Sequence, residues 1–261
     1  MLLLSLMAMA GAQRAMAWGG FGHSCAAYIA EQHLTPEVKA KCRYYLKHTL
    51  PFYASWMDQW RSVPEFRSVN TPHSIAALPD GANLDWSGKP NGGAMGHLKN
   101  ALDELGDGKY KSLPDSVVRQ RIINMVHYLP DMHCPVHVRF PKSDYSHYRY
   151  KIYRKGKVFA YHKFWDGSPG YKRKGWTVAK YAEEIDHVKP KQVKKWQKGS
   201  LDVWARDIIK QAHRCYQITP AGTDISGFKQ EDVDEVHRLA DEMILKGAYR
   251  LAYTLNTIFA E

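Results

Sequence analysis

The spacing of apolar residues, more than any other feature, limits this chain to a mainly helical fold. Val118, Ile122, Met125 and Leu129 follow one another at steps of four, three and four, so they share one face of a helix. Comparable stripes run through Leu201, Trp204, Ile208 and Cys215, and through Val236, Leu239, Met243 and Leu251. These faces predict the core of the protein rather than a functional site.

Several helix boundaries can also be predicted. Residues 22–34 have helical periodicity, and Thr35 followed by Pro36 is typical of the N-cap and first position of a helix that reaches about Leu46. Ser200 is predicted to cap the helix that follows it. With 44% apolar residues among 261 and no low-complexity tract, the chain is expected to form one domain.

Residues 147–162 depart from the helical pattern. Aromatic and β-branched residues flank Arg154-Lys155-Gly156, which is typical of a hairpin loop with glycine at positive φ. Stretches rich in proline and glycine around 79–96 and 218–228 are predicted to be surface loops. The predicted fold class is therefore all-α, with a small β-hairpin.

Residues 1–17 are apolar, too short to span a bilayer, and end in Ala15-Met16-Ala17, the small-x-small form of a signal-peptidase site. We therefore predict a signal peptide at 1–17 and a catalytic domain at 18–261 that begins with Trp18 and is secreted or periplasmic. No later stretch has 18 uninterrupted apolar residues, so no stable membrane insertion is expected.

The chain has four cysteines, an even number in a sequence with an export signal. They allow one or two disulfides in three connectivities, or buried free thiols, and their spacing does not decide between these possibilities. They contain no Cys-x-x-Cys pair that would suggest a zinc finger. The four residues are Cys25, Cys42, Cys134 and Cys215.

The segment from His127 to His137 concentrates groups that bind metal ions. His127 and Asp131 lie four residues apart and share a helix face, so an imidazole and a carboxylate can reach one cation. His137 follows Pro135 and can turn towards another ion. By itself the segment does not decide between a metal site and ordinary hydrogen-bonded histidines.

Histidines and carboxylates recur at ligand spacings elsewhere in the chain. Each of these groups alone is weak evidence for a metal site, because an isolated His-x-x-x-Asp is more often a pair on a helix surface. The order in which all of them occur along the chain is the specific signal. These candidates are His162 with Asp166, Asp58 with His73 fifteen residues later, and His23 five residues after Trp18.

In that order the sequence resembles the S1/P1 nuclease family over nearly the whole predicted mature chain. The resemblance implies a mainly helical domain like those of P1 nuclease and phospholipase C. It also implies a zinc-dependent enzyme that hydrolyses single-stranded DNA or RNA, and 3′-mononucleotides, to products with 5′-phosphates. The matching residues are Trp18-Gly19 with His23, Ser55-Trp-Met-Asp-Gln-Trp-Arg61, His73, the run His127, Asp131, His133, Pro135 and His137, His162 with Trp165-Asp166, and Gly247–Asn256.

The resemblance also implies a cluster of three zinc ions. Neutral imidazoles and carboxylates suit zinc, and an α-amine beside its own carbonyl forms a five-membered chelate ring. Only removal of the signal peptide would turn the nitrogen of the first mature residue from an amide into an amine. Carried over by position, the ligands are Asp58, His73, His127 and Asp131 for one ion, the amine and carbonyl of Trp18 with His23 and the shared Asp131 for a second, and His137, His162 and Asp166 for a third.

Two catalytic residues follow from the same resemblance. Asp131 is implied to bridge two zinc ions that together hold a hydroxide, which attacks phosphorus. Arg61 matches the family's arginine that stabilises charge developing on the phosphoryl oxygens, a task for which the guanidinium fork is well suited.

Base recognition departs from the family. The family's nucleases generally place an aromatic residue and then an aspartate after the ligand histidine, where this chain has Ser74 and Ala76. Residues 147–176 offer a replacement surface, because nine Lys or Arg and nine aromatic residues there stand against the single acid Asp166. The alternative is a hairpin whose aromatic residues pair across the strands and whose lysines face water.

The formal charge of +11 favours an anionic partner, here single-stranded nucleic acid as substrate, and leaves protein partners undetermined. A zinc-dependent phospholipase C acting on phospholipid head groups is the nearest alternative, because it shares the zinc arrangement and the N-terminal Trp. A non-catalytic nucleic-acid- or metal-binding protein is a third interpretation. It would not explain why Arg61 and Asp131 are both in place.

Overall fold

The computed structural model describes residues 18–60, 73–78, 80, 83, 93–140 and 150–260, and most of these residues are helical. The predicted mainly helical fold with a small β-hairpin is confirmed. The α-helices are α1 (Gly20–Gln32), α2 (Pro36–Leu46), α3 (Leu50–Tyr53), α4 (Trp56–Trp60), α5 (Gly93–Leu105), α6 (Asp115–Met132), α7 (Tyr161–Asp166), α8 (Val178–Ile185), α9 (Pro190–Gln197), α10 (Leu201–Ile218) and α11 (Gln230–Phe259). The strands are β1 (Ile75–Ala76), β2 (Val138–Arg139), β3 (Lys151–Arg154) and β4 (Lys157–Ala160).

Helices α1, α6 and α11 pack against one another and form the centre of the domain. The predicted stripe of α6 is buried at all four positions, and α6 is buried on every side from Ile122 to Met132. The predicted stripes of α10 and α11 are buried as well. Because α6 is enclosed, the polar groups on its last two turns are held away from water.

Helix boundaries agree with the capping signals, with small shifts. The Thr35 hydroxyl accepts a hydrogen bond of 3.3 Å from the Val38 amide, and Pro36 is the first residue of α2, as predicted. Helix α1 begins and ends two residues earlier than the predicted 22–34. Ser200 occupies the N-cap position of α10, but its side chain makes no capping hydrogen bond.

The predicted loop at 79–96 is wrong at its end, because α5 begins at Gly93. Ala94, Leu98, Ala101 and Leu105 are buried at steps of four, three and four, and they pack this helix against α6. The glycines at the start of the segment concealed this spacing, since glycine is a poor helix former.

Strands β3 and β4 form the predicted hairpin. Lys155 and Gly156 join the strands in the left-handed region, with φ of 53° and 70°, as a two-residue type I′ turn requires. A second, unpredicted pair joins β1 to β2 in parallel, with Ile75 opposite Val138. This pairing ties the segment after His73 to the segment after His137.

All four cysteines are buried free thiols, so the possible disulfides are not formed. Within the described ranges, no helix is both long and apolar enough to cross a membrane. The predicted signal peptide at 1–17 and Arg61 lie outside the described residues.

Candidate metal centre

The predicted ligands come from distant parts of the chain and lie around the C-terminal half of α6. Trp18 lies two residues before α1, which carries His23; α4 carries Asp58, and His73 lies just before β1. The remaining predicted ligands are His127 and Asp131 on α6, His137 in the turn after it, and His162 and Asp166 on α7.

The carboxylate of Asp131 is the centre of this group. Its Oδ1 lies 3.3 Å from Nε2 of His23, and its Oδ2 lies 3.5 Å from Nδ1 of His73 and 3.0 Å from Nδ1 of His137. These three histidines come from different segments, and the Asp131 side chain is fully buried. One carboxylate therefore connects imidazoles that the sequence separates widely.

Asp58, His73 and His127 form one side of the group. Nδ1 of His73 lies 3.4 Å from Oδ1 of Asp58 and 3.3 Å from Nε2 of His127. Nε2 of His127 and Nε2 of His23 each lie 3.9 Å from Oδ2 of Asp58. The donor atoms of His23, Asp58 and His127, and those of His73, His127 and Asp131, all lie within 4.8 Å of one another in each set.

His137, His162 and Asp166 form the other side. Nε2 of His162 lies 3.3 Å from Nε2 of His137 and 2.9 Å from Oδ2 of Asp166. The side chain of His162 is 20% exposed, whereas that of Asp166 is 4% exposed. Among the described ligand candidates the His162 side chain is the most open to solvent.

The donor set and its hydrogen bonding fit a metal cluster. Nδ1 of His23 is buried without a hydrogen-bond partner, and Nε2 of His23 and Oδ1 of Asp131, although 3.3 Å apart, do not form a well-aligned hydrogen bond. Buried polar atoms left in this way cost free energy unless another group satisfies them. A divalent cation would do so, and imidazole nitrogen with carboxylate oxygen is the ligand chemistry that zinc accepts.

The protonation states of His127 and Asp131 suit metal ligands, whereas His137 must first lose a proton. Burial, together with the neighbouring His23, lowers the pKa of His127 to about 4, so His127 is neutral at pH 7. Burial alone would raise the pKa of Asp131, but His137 and His23 outweigh it and hold that pKa well below the usual range. Burial would lower the pKa of His137, but the Asp131 carboxylate raises it to about 9. Metal binding would therefore release a proton from His137.

Contacts behind the ligands fix their orientation. Nδ1 of His127 donates to the Ala54 carbonyl at 2.7 Å, which leaves Nε2 facing the cluster without a proton. The indole nitrogen of Trp18 donates to the Pro130 carbonyl at 2.9 Å, and the Gly19 amide donates to the Asp166 carbonyl at 3.0 Å. The predicted first mature residue is thus fixed beside both α6 and α7.

Cys134 is a site residue that the sequence analysis missed. Its thiol donates to Oδ1 of Asp166 at 3.4 Å, and its sulfur lies within 4.8 Å of donor atoms of His137 and Asp166. The spacing Cys-x-x-His between Cys134 and His137 is the local signal that points to this thiol.

A buried arginine behind α6 was also missed. Arg250 of α11 donates from Nη1 to Nε2 of His133 at 2.8 Å, while Nδ1 of His133 donates to the Leu129 carbonyl at 2.7 Å. Both ring nitrogens of His133 are therefore used within the protein. Nη2 of Arg250 pairs with Asp207 at 2.8 Å, so a charge from α10 completes this support.

The two positions that differ from the family's base-recognition residues, Ser74 and Ala76, lie beside the predicted metal ligands. Ser74 follows His73 and is half-buried, and Ala76 is the second residue of β1. Neither side chain offers an aromatic face or a carboxylate.

Comparisons with known proteins show which family the sequence matches. The sequence profile described as S1/P1 Nuclease matches residues 18–260. The chain is 24% identical to Nuclease P1 of Penicillium citrinum over 276 residues, which cover 92% of this chain and 97% of the relative. It is 22% identical to Nuclease S1 of Aspergillus oryzae over 291 residues, which cover 100% and 98%. Nuclease PA3 of a Penicillium species is 24% identical over 276 residues, covering 92% and 97%.

Proposed function

The chain belongs to the S1/P1 nuclease family, and we propose that it is a zinc-dependent phosphodiesterase that cleaves single-stranded DNA and RNA to products with 5′-phosphates. Family membership makes it an enzyme, a nuclease whose substrate is nucleic acid. Four features go beyond family membership and are part of the proposal: the metal, the preference for single strands, the 5′-phosphate products and an accessory action on 3′-mononucleotides. It also includes removal of residues 1–17 and export of the mature domain 18–261.

The observation that best supports this proposal is the position of Asp131. This fully buried carboxylate lies within 3.5 Å of three imidazoles, and nitrogen and oxygen donors gathered in this way are the ligand chemistry that zinc accepts. Two cations sharing that carboxylate would neutralise it and satisfy the surrounding nitrogens.

We assign the ligands of three zinc ions in the proposed cluster. Bound zinc ions would supply Lewis acidity, which lowers the pKa of water and stabilises negative charge on phosphoryl oxygens. Asp131 is the ligand common to two of the ions. The sets are Asp58, His73, His127 and Asp131 for the first, the amine and carbonyl of Trp18 with His23 and Asp131 for the second, and His137, His162 and Asp166 for the third.

The chain's own residues would perform the remaining tasks. Asp131 stays anionic at neutral pH, since its pKa is held low, and keeps the two sides of the cluster together. His162, the most exposed of the described ligand candidates, marks the side from which a phosphodiester could approach. Arg61 would pair with the phosphoryl oxygens, because its fork can donate two parallel hydrogen bonds to them.

The departures at Ser74 and Ala76 favour weak discrimination between bases. Without an aromatic face at this position, the stacking contribution of about 1 to 3 kcal/mol per base is absent or supplied elsewhere. Affinity should then depend more on phosphate contacts. We expect similar rates on poly-A and poly-C and a steep fall of binding with salt. A strong preference for one homopolymer that persists at moderate salt would contradict this part of the proposal.

An activity panel on the zinc-loaded protein beginning at Trp18 tests the function. The substrates are single-stranded and double-stranded DNA, RNA, a 3′-mononucleotide and phosphatidylcholine, with and without a chelator. We expect chelator-sensitive cleavage of the single strands, with 5′-phosphate ends detected by mass spectrometry. Products with 3′-phosphates, or equal rates on duplex and single strands, would overturn the proposal.

Phospholipase C remains the alternative that the panel must exclude. The matching relatives are named as nucleases, which favours action on nucleic acid. Hydrolysis of phosphatidylcholine without any nuclease activity would reverse that choice. Zinc binding without turnover of any of these substrates would instead favour the non-catalytic interpretation.

A further inference from the structure

The β3–β4 hairpin carries four exposed cations, Lys151, Arg154, Lys155 and Lys157, which we call the basic hairpin. In the described part of the chain, none of their side chains has a carboxylate partner within ion-pair distance. Several other cations of the same domain are paired, whereas many exposed lysines are not. Those pairs include Arg173 with Asp241, Lys246 with Glu242, and Arg250 with Asp207.

The strand register brings like charges together. Arg154 lies directly opposite Lys157, and Lys155 lies between them in the turn. Like charges directly opposite each other destabilise a two-stranded pair. The Asp224 carboxylate, which binds the backbone of the turn, offsets part of this repulsion, and a phosphate bound beside the charged side chains would relieve more of it.

The tip is nevertheless held in place by backbone contacts. The Asp224 carboxylate accepts hydrogen bonds from the amides of Lys155 and Gly156 at 3.2 and 2.7 Å. The amide of Tyr153 donates to the Thr223 carbonyl at 2.7 Å. Asp224 therefore supports the backbone of the turn, and the charged side chains remain available to solvent.

Two aromatic residues of this region, Tyr150 and Tyr161, pack against other rings of the protein. Tyr161 is fully buried and stacks on Tyr216 at a ring distance of 5.0 Å, and Tyr150 packs edge-on against both. The ring of Tyr161 belongs to the core and is not available for stacking on bases, and the half-buried ring of Tyr150 is packed against it. The sequence predicted that this region both stacks on bases and contacts phosphates. At Tyr150 and Tyr161 the stacking part is lost, and contacts to phosphates are what the region still offers.

The basic hairpin leads directly to the metal centre. Ala160, the last residue of β4, is the N-cap of α7, and His162 follows two residues later. At about 3.3 Å per strand residue, Lys157 lies about 10 Å along the strand from Ala160. A strand of nucleic acid that reached His162 could continue along the hairpin.

We propose that the basic hairpin is a phosphate-backbone subsite that binds single-stranded nucleic acid beyond the scissile bond and favours long strands over short ones. This inference rests on the proposed function and deepens it. The subsite recognises successive phosphates by charge and does not read bases.

The test compares two variants with equal loss of charge. The first carries Lys151→Gln, Arg154→Gln, Lys155→Asn and Lys157→Gln, with asparagine chosen because it tolerates the left-handed backbone at 155. The matched control carries Lys191→Gln, Lys194→Gln, Lys195→Gln and Lys198→Gln, exposed lysines on or next to α9, which carries no ligand candidate. Melting curves of both establish that they are folded.

We measure KM and kcat on a long oligothymidylate and on the dinucleotide at several salt concentrations. The hairpin variant should raise KM for the long strand about tenfold or more at low salt and leave the dinucleotide constants unchanged. Its slope of log KM against log salt should be shallower by up to about 3, at about 0.7 per lost phosphate contact. The α9 control should behave like the parent.

Two results would overturn the inference while the proposed function stands: an unchanged KM of the hairpin variant for the long strand, or equal effects in both variants. Failure of the proposed function looks different, because the parent would then cleave neither substrate. In that case fluorescence anisotropy of a labelled oligothymidylate with the intact proteins still decides. Weaker binding in the hairpin variant alone supports the subsite, and equal binding in all three proteins refutes it.

Discussion

Asp131 and His133 lie two residues apart at the end of α6, but their side chains make contacts on different sides of the helix. Asp131 points into the group of histidines and is proposed to bridge two ions. His133 turns to the Leu129 carbonyl and to Arg250, which is 3% exposed and paired with Asp207. The second residue supports the helix end that carries the first.

We expect Asp131→Asn to remove far more activity than His133→Ala. The amide keeps the shape of the carboxylate but removes a negative charge from two ions, whereas loss of a supporting partner costs about 10- to 100-fold. His133→Ala should also lower the free energy of unfolding by about 1 to 3 kcal/mol, because buried Arg250 loses an acceptor. Zinc content, kcat/KM and urea denaturation of both variants check this. The reverse ranking of activity would show that Asp131 is not the bridging group.

Trp18 has two separable roles. Its indole fixes the residue to the Pro130 carbonyl, and this contact does not depend on whether the chain begins there. Its amine is proposed to bind zinc only after processing, because an amide nitrogen is not a comparable donor. An α-amine titrates near pH 8, so a dication can displace its proton.

A chain with one extra Met before Trp18 should therefore fold normally but hold about one zinc ion fewer and lose activity. The matched protein begins at Trp18. Mass spectrometry of the N-terminus, metal analysis and kcat are the readouts. Equal zinc content and equal turnover in the two proteins would show that the amine is dispensable.

At the scale of elements, the crossing of α6 and α11 decides where the cluster is built. Gly247 allows the close approach, since a Cβ there would lie 3.2 Å from Cα of Pro130 and 3.4 Å from Cγ of His133. A side chain at this position must push α11 away from the helix end that carries Asp131. The shape of the crossing thus depends on one missing methyl group.

Gly247→Val should lower the free energy of unfolding by about 1 to 3 kcal/mol, the usual cost of overpacking. It should also weaken zinc binding, because the displaced helix end carries Asp131. Gly227→Val is the control, since a Cβ there meets no atom within 4 Å, and its effect should stay within about 0.5 kcal/mol. Similar stability in both variants would mean that the crossing of α6 and α11 accommodates the larger side chain without loss of stability.

Over the whole molecule, the candidate metal centre joins segments that lie far apart in the sequence. Residues from α1, α4, the segment before β1, α6 and α7 meet at one buried, polar location. Zinc ions bound there as proposed would link these segments, so metal binding and folding should be coupled.

Removal of metal should therefore destabilise the domain. We expect about three zinc ions per mature chain and a marked fall of Tm with a chelator, restored by added zinc. Binding at a free concentration 100 times Kd contributes about 2.7 kcal/mol per site. Metal analysis and calorimetry provide the measurement. One zinc ion or fewer, in protein whose N-terminus is confirmed as Trp18, would contradict the trinuclear cluster.

The sequence by itself determined the helical class and the positions of five helices, α1, α2, α6, α10 and α11. The 4-3-4 spacing in α6, the Thr35-Pro36 signal of α2 and the Lys155-Gly156 turn each depend on residues that are neighbours in the chain. Their physics is local, so a single sequence contains it. The metal-ligand candidates were found by their order and spacing together with the family resemblance, and their roles stay predictions.

Only the tertiary structure decided what depends on distant contacts. Asp131 meets His23 and His73 across separations of about a hundred and about sixty residues, and no local pattern encodes which carboxylate lies at that centre. The same reason applies to three other contacts that the sequence did not reveal. These are Arg250 behind His133, the thiol of Cys134 beside Asp166, and the packing of Tyr150 on Tyr161. Periodicity shows which face of a helix is buried, but the packing of one helix on another decides what that face meets.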